Sequence, residues 1–374
     1  MKKILLILLI GCIFQCNAQH KEFSISENEK ELLEFLYKNS NKAKVTPSHY
    51  FNELSEWDLS NNTLNCKERI KMEKIANLYK EVKYHEQAIS YQAEYFIGGC
   101  NFEILINGFP IERYYGLGNG ALSASVPINT EILKSGLQSW KIRIFPIHIN
   151  GIPQKMIEGG ARVQLKIQAI RFKDNGDIEK ISTPVIDFEV PLKKEKETGK
   201  NIFVDMGKPY VEYCGTFQAN VPYQLKGWQD GEKFDLSDSL NLKKEVLNKF
   251  NELRNMIINK EENKFEESIL YKEKEVAQAL FMTEKESKDI AKFYTAAFDG
   301  TLQNFNMTSI DNEELVYYCE DRVVTLLFTA MKCPRCKGEP VLVGRYEEEN
   351  RKKVRIFPIY LYRPKGKKEL EVIR

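Results

Sequence analysis

Histidine is scarce in this chain: four occur in 374 residues, at His20, His49, His85 and His148. They are scattered and form neither HxxxH nor HxH, so the spacing that a histidine metal site requires is missing. A strong charge of one sign is missing too. Lys and Arg total 55 against 53 Asp and Glu, a formal net charge of +2, and no basic face for nucleic-acid phosphates is indicated. No GxSxG or SxxK motif occurs, and no Cys/His pair sits in a recognisable catalytic pattern. Gly116-Leu117-Gly118-Asn119-Gly120 lacks the helix and GK[ST] ending of a phosphate loop and reads as a flexible connection. Beyond the N-terminus no run of about 18 apolar residues occurs, so no transmembrane helix is expected there. These absences leave no catalytic residue, metal or cofactor to name.

What the chain does have begins with a leader. Lys2 and Lys3 precede the apolar run Ile4 to Phe14, and Cys16-Asn17-Ala18 ends in a small residue before Gln19. That is the form of a secretory signal over residues 1–18, too short to span a bilayer. Leu9-Ile10-Gly11-Cys12 resembles a bacterial lipoprotein box, so lipidation at Cys12 is the alternative to cleavage after Ala18. Both readings export the protein to the periplasm or the outer membrane. Six cysteines then remain, Cys66, Cys100, Cys214, Cys319, Cys333 and Cys336, an even set that permits sparse disulfides in an oxidising compartment.

The hydrophobic share of 43% and aromatic share of 11% suit a packed fold. A helical preface is expected over 19–83. Ser26 and Glu29 fit a capping box ahead of Leu32, Leu33, Leu36 and Tyr37, and a second helix is expected from Lys67 to Val82. Residues 84–226 read as strands. Phe102, Ile104 and Ile106 alternate on one face, as do Trp140, Ile142 and Ile144, which marks half-buried antiparallel strands. Asn107-Gly108 and Asp174-Asn175-Gly176-Asp177 are hairpin signals. Many short strands between turns argue for an antiparallel β-sandwich.

From 236 to 374 the pattern changes, with Lys226 to Ser239 as the boundary. Helices are expected over Leu240 to Lys260 and Phe265 to Phe281, and a third is capped by Thr283 and Glu286. LVYYC, RVVTLLFTAM, EPVLVGRY and KVRIFPIYLY then read as a four-strand antiparallel meander. The fold class is therefore α+β: a β-sandwich followed by a helical and antiparallel-sheet unit.

The segment NGFPI to SVPINTEILKSGLQSWKIRIFP resembles jelly-roll modules attached to glycosidases and carbohydrate-binding proteins. The C-terminal order of helices and sheet resembles ketosteroid-isomerase-like proteins, an analogy of fold that assigns no catalytic residue. The whole line-up is similar to uncharacterised exported proteins of Gram-negative bacteria, among them immunity partners of antibacterial effectors.

Cys333-Pro334-Arg335-Cys336 lies in a turn between strands, without the helix start a redox thiolate needs or the further ligands of a zinc site, so a local disulfide or an idle pair is expected. Tyr114, Tyr115 and Trp228 are the candidate binding residues; Tyr114 and Tyr115 stand beside a glycine loop, where large rings are less often required for packing. The expected function is binding of another protein without catalysis. A glycan bound by the sandwich loops is the alternative, and an acid/base site in the C-terminal unit is a third reading.

Overall fold

The computed structural model describes residues 72–116, 121–149, 152–172, 177–329 and 336–374. All of them belong to the unit made of Met1–Ile10 and Lys71–Arg374, the other unit being Gly11–Ile70. The leader, the first expected helix, the turn at 173–176, the glycine loop at 117–120 and Cys333 lie outside the described residues.

Among the described residues, thirteen strands precede residue 220. They are β1 (Ser90–Gly98), β2 (Asn101–Ile106), β3 (Phe109–Tyr114), β4 (Ala121–Pro127), β5 (Gly136–Phe145), β6 (His148–Ile149) and β7 (Ile152–Pro153). After these come β8 (Arg162–Phe172), β9 (Ile178–Lys180), β10 (Ile186–Glu189), β11 (Leu192–Lys194), β12 (Asn201–Phe203) and β13 (Val211–Ala219). One antiparallel sheet has the order β10-β8-β1-β4, with β9 also on β8, and a second has β13-β5-β2-β3. Trp140, Ile142 and Ile144 on β5 share one hydrophobic core with Tyr91, Ala93, Tyr95 and Ile97 on β1, while Lys141 and Arg143 take the opposite face. Asn107 and Gly108 turn between β2 and β3 with φ of 51° and 79°, the left-handed pair a tight hairpin uses.

Strand β2 departs from the half-buried pattern expected of it. All six of its residues are buried, because the face carrying Glu103 is covered by the C-terminal part of the chain. The helix expected to Val82 is also shorter: α1 spans Glu73–Ala76 and a 3-10 turn follows over Leu78–Lys80. Asn77 ends α1 by donating from Nδ2 to the Glu73 carbonyl at 2.8 Å, a local bond that competes with helix continuation.

Beyond Lys226 the chain forms α2 (Ser239–Ile258), α3 (Glu262–Ala279) and α4 (Glu284–Thr295). Val246, Phe250, Leu253 and Ile257 form the buried stripe of α2, and complete burial of a ring such as Phe250 contributes about 2–3 kcal/mol. The Thr283–Glu286 capping box starts α4. Among the described residues no helix is long and apolar enough to cross a membrane.

The expected four-strand meander is two sheets instead. Strands β15 (Glu313–Tyr318), β16 (Val323–Phe328), β19 (Leu361–Tyr362) and β20 (Glu371–Val372) form one; β14 (Gln303–Met307), β17 (Val343–Glu348) and β18 (Arg351–Ile356) form the other. Proline lacks the N–H a ladder needs, and β16 meets the segment entering β17 through the Leu327–Pro340 bridge and the bonds of Phe328 with Gly338 and Glu339, short of a full ladder. Two cores result. The first takes in Tyr318, Tyr360 and Tyr362 together with the N-terminal sheets. The second gathers α1 to α4 and the inner faces of the C-terminal strands.

The turn between β15 and β16 is strained. Cys319, Glu320 and Asp321 all hold positive φ, at 53°, 56° and 66°, each costing about 1–2 kcal/mol. Surrounding bonds hold the shape: the Cys319 N–H donates to the Gly108 carbonyl at 3.1 Å and the Phe234 N–H to the Asp321 carbonyl at 2.8 Å. Beside this junction Arg374 is buried, its Nη1 on Glu275 at 2.9 Å and its Nη2 on the Thr130 carbonyl at 2.9 Å.

Glu131, 6% exposed, therefore has a cation nearby that is bonded to another carboxylate. Burial pushes its carboxyl up from 4.5 to about 7, although the Thr130 hydroxyl and the Arg374 charge pull the other way. The folded value exceeds the unfolded one, so between pH 4.5 and about 7 the folded chain keeps a proton that the unfolded chain has lost. Stability falls as pH rises through that window. Glu131→Gln should leave stability near wild type at pH 4 to 5 and raise it by about 2–3 kcal/mol at pH 8. Denaturant titrations at both pH values check this, and a pH-independent difference would refute it.

Candidate functional site

Register places four alternating charges across the second sheet. Arg113 on β3 lies opposite Glu103 on β2, Glu103 opposite Arg143 on β5, and Arg143 opposite Glu212 on β13. Arg143 Nη1 meets Glu103 Oε2 at 3.1 Å, and its Nε reaches Glu212 Oε2 at 3.4 Å. Lys141 holds the other Glu212 oxygen at 2.7 Å. Between Arg113 and Glu103 stands Tyr318, whose hydroxyl donates to Glu103 Oε1 at 3.0 Å and accepts from Arg113 Nη1 at 3.4 Å. Arg113 also donates to the Tyr360 hydroxyl at 2.9 Å and, through Nε, to the Gly338 carbonyl at 2.6 Å.

The ladder is buried at one end and open at the other. Glu103, Tyr318 and Tyr360 are buried, whereas Tyr210 is 42% exposed. Burial opposes the charge of Arg113, but the Tyr360 and Tyr318 hydroxyls outweigh it and hold the guanidinium ionised. Burial is also the main reason the Tyr318 hydroxyl titrates above its usual range, the Glu103 charge adding to it against Arg113. At the open end burial raises Glu212, yet hydrogen bonds from Lys141 and Tyr210 prevail and keep it below the usual carboxylate value. Tyr210 is pushed up to about 12 by burial and by its bond to Glu212.

An aromatic row runs beside the charges. Tyr115 and Phe145 have ring centroids 5.5 Å apart at an angle of 46°. Phe145 and Tyr210 are 5.4 Å apart, also at 46°. Tyr115 interacts with Glu103 through its hydroxyl, and burial first, then that carboxylate, raises its pKa. Lys337 Nζ lies 5.1 Å from the Tyr115 ring centre, within cation–π range. Gly338 makes this approach feasible: its φ is 79°, and a Cβ there would come within 2.5 Å of the Tyr115 ring. The segment following Cys336 is thus seated on the Tyr115 ring, more than 200 residues away in sequence.

The three candidate rings are placed differently. Tyr115 belongs to this row. Tyr114 turns to the opposite face, stacked on Phe102 at 6.2 Å, as strand alternation requires. Trp228 is 4% exposed and lies in the core, stacked on Phe109 at 5.0 Å with the Arg374 guanidinium 5.3 Å from its ring. Cys336 is disulfide-bonded, and its proposed partner Cys333 lies outside the described residues. Cys100, Cys214 and Cys319 are free.

Glu103, Arg113, Arg143, Phe145, Tyr210 and Glu212 were not singled out from the sequence. The signal available was the polar phase of β2 and β5, with Glu103 and Arg143 between apolar neighbours, but strand pairing is required to align them. No protein-family model, curated protein or solved structure matches this chain.

Removing a buried charge partner leaves the others unpaired, whereas exposed pairs contribute little. Glu103→Ala should therefore destabilise the protein by about 2–4 kcal/mol and Glu212→Ala by less than about 1 kcal/mol. Thermal or chemical unfolding compares the two, and equal losses would show that the ladder is not graded by burial.

Proposed function

We propose that this is an exported, non-enzymatic binding protein whose partner is another protein, of the kind that neutralises an antibacterial effector by covering it. In this reading the two N-terminal sheets are the layers of a jelly-roll-like β-sandwich. The C-terminal helices and sheets buttress its outer face. The Tyr115–Phe145–Tyr210 row, rimmed by Lys141, Arg143, Glu212 and Lys337, is the contact surface.

The observation that carries the proposal is the aromatic row seated on a rigid sheet and flanked by paired charges. Tyrosine and arginine are the residues that concentrate binding energy in protein interfaces, and a polar rim is their usual surround. The same row favours a glycan as the second reading, since sugars stack on aromatic faces. The 46° tilts between successive rings make a stepped surface instead of one plane, which suits interdigitating side chains better. Glu103 supports binding over acid/base chemistry, because both of its oxygens are engaged by Arg143 and Tyr318.

The test uses the exported chain as bait in an envelope extract, with Tyr210→Ala and Lys141→Glu as matched controls. Both positions are partly exposed, so the fold should survive the changes. One stoichiometric protein should be retained, lost by about tenfold or more with each variant, and its toxicity should be relieved by the wild-type chain. Retention of polysaccharide alone, again lost in Tyr210→Ala, would replace the protein reading with the glycan one. A partner insensitive to both variants would remove the row from the interface.

A further inference from the structure

A second feature lies on other strands and does not depend on that reading. The outer face of β1 is polar around Phe96: its neighbours across the strands are Gln164 and Ser123, and Glu94 precedes it on the same face. Yet Phe96 is 42% exposed. It borders a cleft of about 420 Å³ whose lining also includes Ile147, Ile149, Glu158, Gly160 and Arg162. That volume falls within the range of small-molecule sites.

The charged groups of the cleft form no ion pair with each other. Arg162 donates from Nη1 to the carbonyls of Ala161 at 2.7 Å and Gly159 at 3.2 Å, and from Nη2 to that of Asn201 at 2.5 Å. These bonds fix the guanidinium and use three of its five N–H groups. The Nε–H has no acceptor among the described residues, so a carboxylate can still be bonded there. Glu158 lines the same cleft with an exposed carboxylate. It forms no ion pair with Arg162 or with any other described residue. Ile147, Ile149 and the Phe96 ring supply an apolar wall.

We propose that this cleft binds a small zwitterion with an apolar side chain. Its carboxylate would sit at the Nε–H of Arg162, its ammonium by Glu158 and its side chain against Phe96. A free apolar α-amino acid and the termini of a short apolar peptide share this chemistry. One cation, one anion and an apolar wall in a single cleft match all parts of such a molecule. A purely apolar ligand would leave both charges unused.

Calorimetric titration with L-phenylalanine and with L-leucyl-L-phenylalanine tests the proposal and separates the two sources. At least one should bind saturably at millimolar concentration. Phenylalanine methyl ester and N-acetylphenylalanine, or the corresponding blocked dipeptides, each lack one charge and should bind about tenfold more weakly. Glu158→Gln should lose the discrimination against the N-acetyl form. Gly160→Leu should abolish binding without disturbing the fold, since a Cβ at Gly160 meets nothing within 4 Å, and its melting curve checks this. Absence of saturable binding by both zwitterions, equal binding of blocked and free forms, or retained binding in Gly160→Leu would each overturn the proposal.

Discussion

Glu103 imposes the constraint on which the arrangement depends. A carboxylate at 4% exposure in the middle of a sheet carries a desolvation penalty of several kcal/mol unless cations and hydroxyls replace its water. Two strands of its own sheet supply Arg113 and Arg143, and the C-terminal hairpin supplies Tyr318. Satisfying one buried charge thus ties β15 to the outer face of β2. It also explains why β2 is buried on both faces and why Tyr318 and Tyr360 belong to the core of the N-terminal sheets. With Tyr318 absent, Arg113 and Glu103 would lose the hydroxyl that bridges them.

The same junction concentrates strain and buried charge. The left-handed run Cys319 to Asp321 is held by bonds to Gly108 and Phe234, which belong to distant stretches of chain. Strained backbone persists where surrounding contacts over-determine it, and here those contacts join the two halves. Arg374 closes the arrangement by pairing with Glu275 on α3 while contacting the Thr130 carbonyl. In the second core Lys272, Tyr294 and Glu273 satisfy one another at 2.7 to 3.2 Å. Paired polar groups are thus buried beside both cores, and this favours one packing over alternatives.

The aromatic row inherits its order from that burial. Tyr115 is held by Glu103 beneath it and by Lys337 and Gly338 beside it. Phe145 and Tyr210 then continue towards β13, the last strand of the sheet. The rings are therefore held in place within the chain itself; under the proposed reading, this would reduce the ordering entropy lost on association.

Much of the local structure was legible in the sequence, because period-2 and period-3.6 patterns are local properties. The strands carrying Phe102 to Ile106 and Trp140 to Ile144, the Asn107-Gly108 turn, the α2 stripe and the Thr283–Glu286 capping box all follow from residues within a few positions of one another. Tyr115 could be singled out because it stands beside glycines. Its neighbours in the row could not, since Phe145 and Tyr210 share no local pattern with it and meet only through strand order. Trp228 looked equally available as a binding ring, and only the packing of Phe109 and Arg374 against it shows that it is core. Likewise Glu103 is one of 53 acidic residues until register sets Arg113 and Arg143 on either side. Alternation chose which face each residue occupies. Tertiary structure alone decided which faces met, because burying a charge or a ring depends on partners that are distant in sequence.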